Sequence, residues 1–369
     1  MPGIDLRVFF ASRHGIDPYV DKNFGMTVQW KGLALDFPHR FLAGAGDRKV
    51  ESSIDCPDLE AALGEFAPDA VVIYGYIQPL QRRAMRWARR RQLKVLMIAD
   101  SELRARRGLL KSLAKKMVLP RVLGKVDAFL TVGDANEQYY RHYGVDDRRL
   151  VRCSFPIDVR AFDQALADRD STRRGLRAAL GIPENQLVII SVGKFVSWKR
   201  QIDLISLSNR YQDLGRDVTI ILAGTGPDEA ALRAATRRTG TGGVWFAGFV
   251  TPELLTNYYI ASDVYVHCSE MEPHSLAISE AIYASMPVVL SDRCGSYGPS
   301  DDVRPGLNGF VYACGDVAGL ADAVDAVAQT KEMMEAMGRE SRDIAVANQA
   351  LAHGKALRQA LGLVGLGAK

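Results

Sequence analysis

The chain has 369 residues, more than one ordinary hydrophobic core accommodates, so two domains of similar size are expected. Its 47% hydrophobic content is that of a soluble globular enzyme. No run of eighteen apolar residues occurs, and Asp5 and Arg7 interrupt the N-terminal MPGIDLRVFF, which argues against a spanning helix and against a signal peptide.

The net charge of +4 is unevenly spread. Residues 82–125 hold fifteen Lys or Arg and two acids, Asp100 and Glu102, a surplus of +13, while the remainder carries 32 basic and 41 acidic residues. Arg82-Arg83, Arg89-Arg90-Arg91, residues 104–107 and Lys115-Lys116 are interleaved with Leu and Met on helical patterns. Such a helix reads as membrane-surface binding, as a solvated face, or as a nucleic-acid contact. No zinc finger, helix-turn-helix or RNP motif accompanies the charge, so nucleic acid ranks last and an anionic surface or acceptor ranks first. The five cysteines (Cys56, Cys153, Cys268, Cys294, Cys314) form no C-x-x-C pair and read as small core residues in a reducing cytoplasm.

Along the chain, short apolar strands alternate with helical segments. Strands are expected at 7–11, 70–74, 95–99 and 128–132, with helices at 59–66 and 78–91. The pattern breaks near Phe155-Pro156-Ile157-Asp158. A second series follows, with strands at 188–192, 218–223, 244–247, 264–267, 288–290 and 309–312 and a helix at 276–285. Alternation of this kind predicts an α/β fold with two parallel sheets covered by helices, whose ligands sit beyond the carboxyl ends of the strands. No internal repeat or low-complexity segment is visible.

The most informative stretch is 261–292, a buried strand, a polar loop, a helix and a second buried strand. Glu272 and Glu280 flank the helix start, where unpaired N–H groups favour a phosphate. A carboxylate is tolerated beside such a site when it accepts hydrogen bonds, and sugar hydroxyls supply them. A sugar joined to a diphosphate is the expected ligand. The Glu, seven-residue, Glu spacing is followed by Ala284, Ser285, Met286, Pro287, Val288 and Val289. Together these resemble the large retaining group of GT-B glycosyltransferases often called family 4. That group usually has Phe-Gly where this chain has His274 and Ser275, a departure that bears on how the donor sugar is held. Ser275 is itself a good N-cap residue.

The resemblance implies a GT-B fold, two doubly wound Rossmann-like domains facing a central cleft. Residues 1–158 would be the acceptor-side domain and 159–338 the nucleotide-sugar domain. Residues 339–369 would cross back to the first domain, through a helix at 339–361. It implies a retaining transfer of a hexose-type sugar from a nucleoside diphosphate sugar to a hydroxyl of a glycan, lipid-linked or secondary-metabolite acceptor. Lys194 and Lys199, after Gly193, match the group's cations on the diphosphate, and Arg200 stands where it often has Gly. Glu280 would take the ribose, Glu272 the donor sugar, and the backbone N–H groups of Ser275 and Leu276 the diphosphate. Gly224, in Gly224-Thr225-Gly226-Pro227, and Phe249 match its nucleotide turns, and Gly306 to Phe310 its Gly-Asn-Gly-Phe entry.

The first half resembles the group less. Gly15, and after it Gly25, are candidates for the donor loop behind Ser12-Arg13-His14. The histidine usual after the strand at 95–99 is replaced by Asp100-Ser101-Glu102, so its role passes to Asp100 or His14, or is lost. His39, His142, His267 and His353 show no ligand spacing, and no Asp-x-Asp stands where a metal would bridge a diphosphate. No metal or cofactor is expected. The site thus comprises Lys194, Lys199, Glu272 and Asp100 for chemistry, and Gly15, Gly193, Glu280, Ser275, Leu276, Gly224 and Phe249 for the donor. A cytoplasmic enzyme, with a peripheral membrane position as an extension, is the first reading. A catalytically impaired glycan-binding or membrane-associated protein on the same fold is the alternative.

Overall fold

A computed structural model describes residues 3–14, 16, 18–21, 26–28, 35–45, 53–104, 109–237, 242–352 and 354–366. Gly15, Gly25, residues 105–108 and His353 lie outside that set.

The first half opens with β1 (Val8–Phe10), β2 (Tyr19–Asp21), β3 (Met26–Val28) and β4 (His39–Phe41). Strands β1 and β4 pair in parallel, and β2 and β3 antiparallel. Then come α1 (Leu59–Phe66), β5 (Ala70–Tyr74), α2 (Pro79–Arg90), β6 (Lys94–Ala99), α3 (Leu109–Leu123), β7 (Ala128–Thr131), α4 (Asp134–His142) and β8 (Leu150–Arg152). Strands β5 to β8 form a parallel sheet in chain order. Helices pack on both faces of β6, which is why it reads as an unbroken apolar run, while β5 leaves Val72 and Tyr74 exposed. Helix α2 starts at Pro79, whose missing N–H costs nothing there, and Gln78 and Gln81 form a reciprocal capping box. Its Ala84, Met85, Trp87 and Ala88 enter the core, so its arginines occupy the opposite face. Arg83 pairs with Asp55 at 2.8 Å and Arg89 with Asp127 at 3.2 Å.

The second half contains α5 (Val159–Ala167), α6 (Arg169–Ala179), β9 (Leu187–Val192), α7 (Gln201–Asp213), β10 (Val218–Ala223), α8 (Glu229–Ala235), β11 (Gly243–Gly248) and α9 (Pro252–Ala261). It continues through β12 (Val264–His267), α10 (Leu276–Tyr283), β13 (Val288–Ser291), β14 (Gly309–Tyr312), α11 (Val317–Val327), α12 (Lys331–Ala350) and α13 (Gly354–Leu363). The six strands are parallel in the order β11-β10-β9-β12-β13-β14. The order in which strands are added reverses at β9 and β12, and a crevice is expected at the carboxyl ends of such a pair.

The chain then returns to the first sheet. Ala356 and Ala360 of α13 pack on Leu96, Ile98, Ala128, Leu130, Val151 and Cys153. The crossing element expected at 339–361 is therefore two helices. Residues 339–350 belong to α12, whose buried Met337, Gly338, Ser341, Ile344 and Ala345 keep it on the second domain, and only α13 crosses.

A polar seam joins the halves. Asp134, at the start of α4, accepts from Arg152 at 2.5 Å and from the N–H of Ser300 at 2.8 Å, and its own N–H donates to Asp301 at 2.6 Å. The approach is so close that a Cβ on Gly133 would lie 2.4 Å from the Asp301 carboxylate.

Candidate functional site

Three of the expected donor residues follow the carboxyl ends of β9, β10 and β11. After β9 the chain passes Gly193 and Lys194, and Gly224 crosses directly beneath. A Cβ on Gly224 would lie 1.9 Å from the Gly193 carbonyl, so glycine is required there. The Gly224 N–H donates to Gly248 O at 2.8 Å, and Phe249, 40% exposed, follows. Gly193, Gly224 and Phe249 thus occupy the ends of three adjacent strands. Gln201 holds the Lys194 carbonyl at 2.9 Å.

A short 3-10 turn, Ser197–Lys199, leads into α7 through Arg200, which is left-handed (φ 52°). This accounts for the glycine usual at that position, since a side chain there costs about 1–2 kcal/mol. Here the guanidinium compensates with two 2.8 Å bonds to Asp203 in the first turn of α7. The turn is tied to the loop after β12 by the Glu270 N–H donating to Trp198 O at 2.7 Å. That tie brings Lys199 into an ion pair with Glu272 Oε2.

Glu272 Oε2 has two further neighbours, His267 Nε2 at 3.3 Å and Ser269 Oγ at 3.4 Å. Burial alone would raise this carboxyl. The His267 contact and the Lys199 ammonium outweigh burial and hold it down at about 2. Glu280, eight residues on, shows the opposite balance. Burial pushes it up to about 7, and its one described partner, the Tyr259 hydroxyl at 2.8 Å, only moderates the rise. The two carboxylates therefore differ in protonation near neutrality.

Ser275 departs from expectation. It begins α10, but its hydroxyl caps nothing, and its N–H donates to Ser296 Oγ at 2.9 Å instead of facing an anion. Leu276 opens the helix half exposed, and its N–H, like that of Ala277, has no intrahelical acceptor.

His274 is turned away from the crevice. Its ring is buried against Phe155, with ring centres 5.3 Å apart, and stands between Asp302 (Nε2 to Oδ2, 3.4 Å) and Asp301 (Nδ1 to Oδ1, 3.9 Å). A bearing on the donor sugar through this side chain is thus replaced by a place in the seam between the halves. His274, Asp301 and Asp302 also have the donor chemistry of a metal site. The two ring nitrogens, however, face different carboxylates. Asp302 is further satisfied by Ser279 at 2.6 Å and Asn348 at 2.7 Å. An imidazole flanked by two carboxylates, one on each ring nitrogen, fits this geometry better than an ion. The aspartates raise its pKa against the opposing effect of burial.

The remaining candidates sit on the other sheet. Asp100 is exposed at the end of β6, beside the buried Glu102, which pairs with Arg104 at 3.2 Å. His14 is half buried, its N–H donating to Ser12 Oγ at 3.0 Å. Sequence reasoning missed His267, Ser269, Tyr259 and Ser296. The available signal for His267 was a lone polar residue closing a fully buried strand. A surface hollow lined by Ser206, Asn209, Asp213 and Val317 lies on the outer side of α7, away from the strand ends.

Comparison with known proteins bears on the fold and on the second half of the chain. Residues 172–344 match the family model for glycosyl transferases group 1. A D-inositol 3-phosphate glycosyltransferase of Geodermatophilus obscurus is 29% identical over 231 residues, which cover 59% of this chain and 49% of that protein. The chain spans about half the length, or less, of the curated relatives it matches. A glycosyltransferase from Rickettsia africae superposes with a TM-score of 0.65 at 14% identity, covering 89% of this chain and 86% of the other. Anabaena HepE, crystallised with UDP and glucose, superposes with a TM-score of 0.60 at 18% identity, covering 85% and 84%. Likeness at that level of identity shows the fold, which is GT-B.

Proposed function

We propose that this chain, whose residues 172–344 form a domain of the glycosyl transferases group 1, moves a hexose-type sugar with retention from a nucleoside diphosphate sugar to an acceptor hydroxyl. The observation that carries the reading is the meeting of Lys199 and Glu272 in the β9–β12 crevice, with Lys194 on the preceding loop and Glu280 on the next helix. Lys194 and Lys199 hold the diphosphate and stabilise its charge as it leaves, so no divalent metal is needed. Glu280 accepts from the ribose and Glu272 from the donor sugar. The departing phosphate assists removal of the acceptor proton. HepE was crystallised with UDP and glucose, so a uridine diphosphate hexose is the first donor to try.

The acceptor enters from the first domain, past Asp100 and the loop of His14. Residues 1–158 serve as the acceptor side, which takes a glycan, lipid-linked or small-molecule acceptor. Membrane contact falls to α3 rather than α2, because the apolar residues of α2 are consumed by the core. On α3, Leu113 (59% exposed) and Met117 (58%) lie one turn apart beside the exposed Lys116.

Asp100-Ser101-Glu102, standing where a histidine is usual, favours a second reading as a binding protein with impaired catalysis. A panel of nucleotide sugars separates the two. The enzyme releases free nucleotide on slow hydrolysis and faster with acceptor, whereas the binder is stabilised thermally by the same ligands and releases none.

A further inference from the structure

His267 closes β12 and is only 2% exposed. Its Nδ1 lies 3.0 Å from the Tyr265 hydroxyl, and the two rings stack with centres 6.0 Å apart. Its Nε2 lies 2.9 Å from Ser269 Oγ and 3.3 Å from Glu272 Oε2. Ser269 is fixed in turn, since Ser291 Oγ donates to its carbonyl at 2.5 Å. The backbone of Glu272 is anchored as well, by the Gly295 N–H on its carbonyl at 2.7 Å.

Donors and acceptors in this group assign themselves. Burial lowers the imidazole pKa and raises that of Tyr265, so the ring is neutral and the phenol keeps its proton. A neutral imidazole has one N–H. With the Tyr265 hydroxyl as donor to Nδ1, the ring proton stands on Nε2. That proton faces Ser269 Oγ and Glu272 Oε2, and the Ser269 hydroxyl proton is left to point at Glu272. Every donor in the chain from Tyr265 onward is thus aimed at one carboxylate oxygen. Lys199 lies on that same oxygen. Among the described residues nothing donates to the other oxygen, Oε1.

We propose that His267, backed by Tyr265 and Ser269, is the positioning residue that fixes Glu272 by its Oε2 and presents Oε1 to a hydroxyl of the donor sugar. The inference rests on the reading of Glu272 as a donor-sugar residue. Lys199 alone is a poor clamp, because its flexible four-carbon stem and compact charge also serve the diphosphate. Two uncharged donors on a rigid strand end keep the carboxylate placed while the ammonium attends to phosphate. They also add no positive charge that would compete for the leaving group.

The test compares binding of UDP with binding of UDP-glucose by calorimetry in the full-length chain, for the parent and for His267→Phe and His267→Gln. Removing the donor should leave UDP affinity within about two-fold, reduce the added affinity of the sugar conjugate about ten-fold, and lower kcat for donor hydrolysis at least as much. The amide of His267→Gln should restore part of the loss, which a merely structural role would not predict. An unchanged ratio of the two affinities in His267→Phe overturns the proposal. A second measurement needs no variant and no ligand. Nitrogen-15 NMR of the parent should show His267 as the neutral Nε2–H tautomer at pH 7, and a protonated ring or the Nδ1–H tautomer overturns the proposal equally. A parent that binds neither UDP nor any other nucleoside diphosphate instead overturns the donor-site reading, and the tautomer still decides whether His267 donates to Glu272.

Discussion

Lys199 and Glu272 are 73 residues apart in the chain and form an ion pair in the crevice between β9 and β12. Neither strand sequence specifies this contact. It follows from the strand order, which makes β9 and β12 neighbours and sends their loops to the same edge. The pair sets a cation beside a carboxylate, and against burial the His267 contact and the Lys199 ammonium hold the Glu272 carboxyl down at about 2.

Replacing both Lys194 and Lys199 with Ala should lower kcat more than it weakens recognition of the sugar. On the proposed function, the charge these lysines meet grows as the diphosphate departs, so their contribution is largest in the transition state. A loss of 10²-fold or more in kcat, roughly the effect of removing one well-placed electrostatic donor, is the expected scale. Turnover within a few-fold of the parent would mean that the diphosphate is held elsewhere. Steady-state release of nucleotide measures it.

Glu280 yields a pH prediction. Its carboxyl is raised to about 7 by burial, so it gains a proton as pH falls through neutrality. If the ionised form accepts from the ribose, nucleoside diphosphate affinity should fall between pH 8 and pH 6. Glu280→Gln should abolish that dependence and cost about 1.5–3 kcal/mol of binding at pH 8, the range for a charged hydrogen bond. The same shift makes folding less favourable above the unfolded carboxyl value, near 4.3, and increasingly so up to about 7. Calorimetric titration across pH decides it, and affinity that rises toward acid would remove Glu280 from the ribose.

His274 gives a slope at higher pH. Asp302 and Asp301 raise its pKa, with Arg152 of the first domain working the other way. The imidazolium therefore stabilises the fold fully below the ordinary histidine value, near 6.5, and this stabilisation is lost as pH rises through the raised one. The denaturation midpoint should decline from pH 6.5 upward in the parent. In His274→Phe that decline should be absent, and the variant should be less stable at pH 6.5, because Asp301 and Asp302 would face each other without the cation. A parent midpoint that is level from pH 6 to pH 9 would show that folding leaves the ring's pKa where it stands in the unfolded chain.

The sequence pattern carried most of this fold. Strands at 70–74, 218–223, 264–267 and 309–312 fall where apolar runs placed them, and those at 218–223 and 264–267 are buried on both faces, with no polar alternation to blur their ends. What it did not carry were contacts that exist only after folding. Ser275 has the chemistry of an N-cap, but its hydroxyl accepts from none of the first-turn N–H groups of α10, and its own N–H goes to Ser296 on the loop after β13. His267 has no partner within ligand spacing along the chain, and its bond to Glu272 depends on how the loop after β12 turns back. The end of α12 at Ala350 was hidden because no proline or glycine marks it until Gly354 opens α13.

The basic segment is the remaining test, and the fold narrows it. On α2 the apolar residues are in the core, and Arg83 and Arg89 are engaged by Asp55 and Asp127. On α3, Leu113 and Met117 are exposed one turn apart, and Lys116, Arg121 and Lys125 are exposed near them. An apolar ridge flanked by cations suits an anionic leaflet, where each basic residue contributes about 1 kcal/mol. The parent should sediment with anionic vesicles and not with neutral ones. High salt should weaken the interaction strongly, since the Debye length falls from about 10 Å at 0.1 M to about 3 Å at 1 M. Leu113→Ser combined with Met117→Ser should reduce vesicle binding at every salt concentration, because it removes the ridge that screening leaves untouched. Lys116→Gln should instead flatten the salt dependence. Equal binding to neutral and anionic vesicles, or none to either, would leave the charge as an ordinary solvated surface or as an entrance for a soluble acidic acceptor, and the donor site would stand without a membrane beside it.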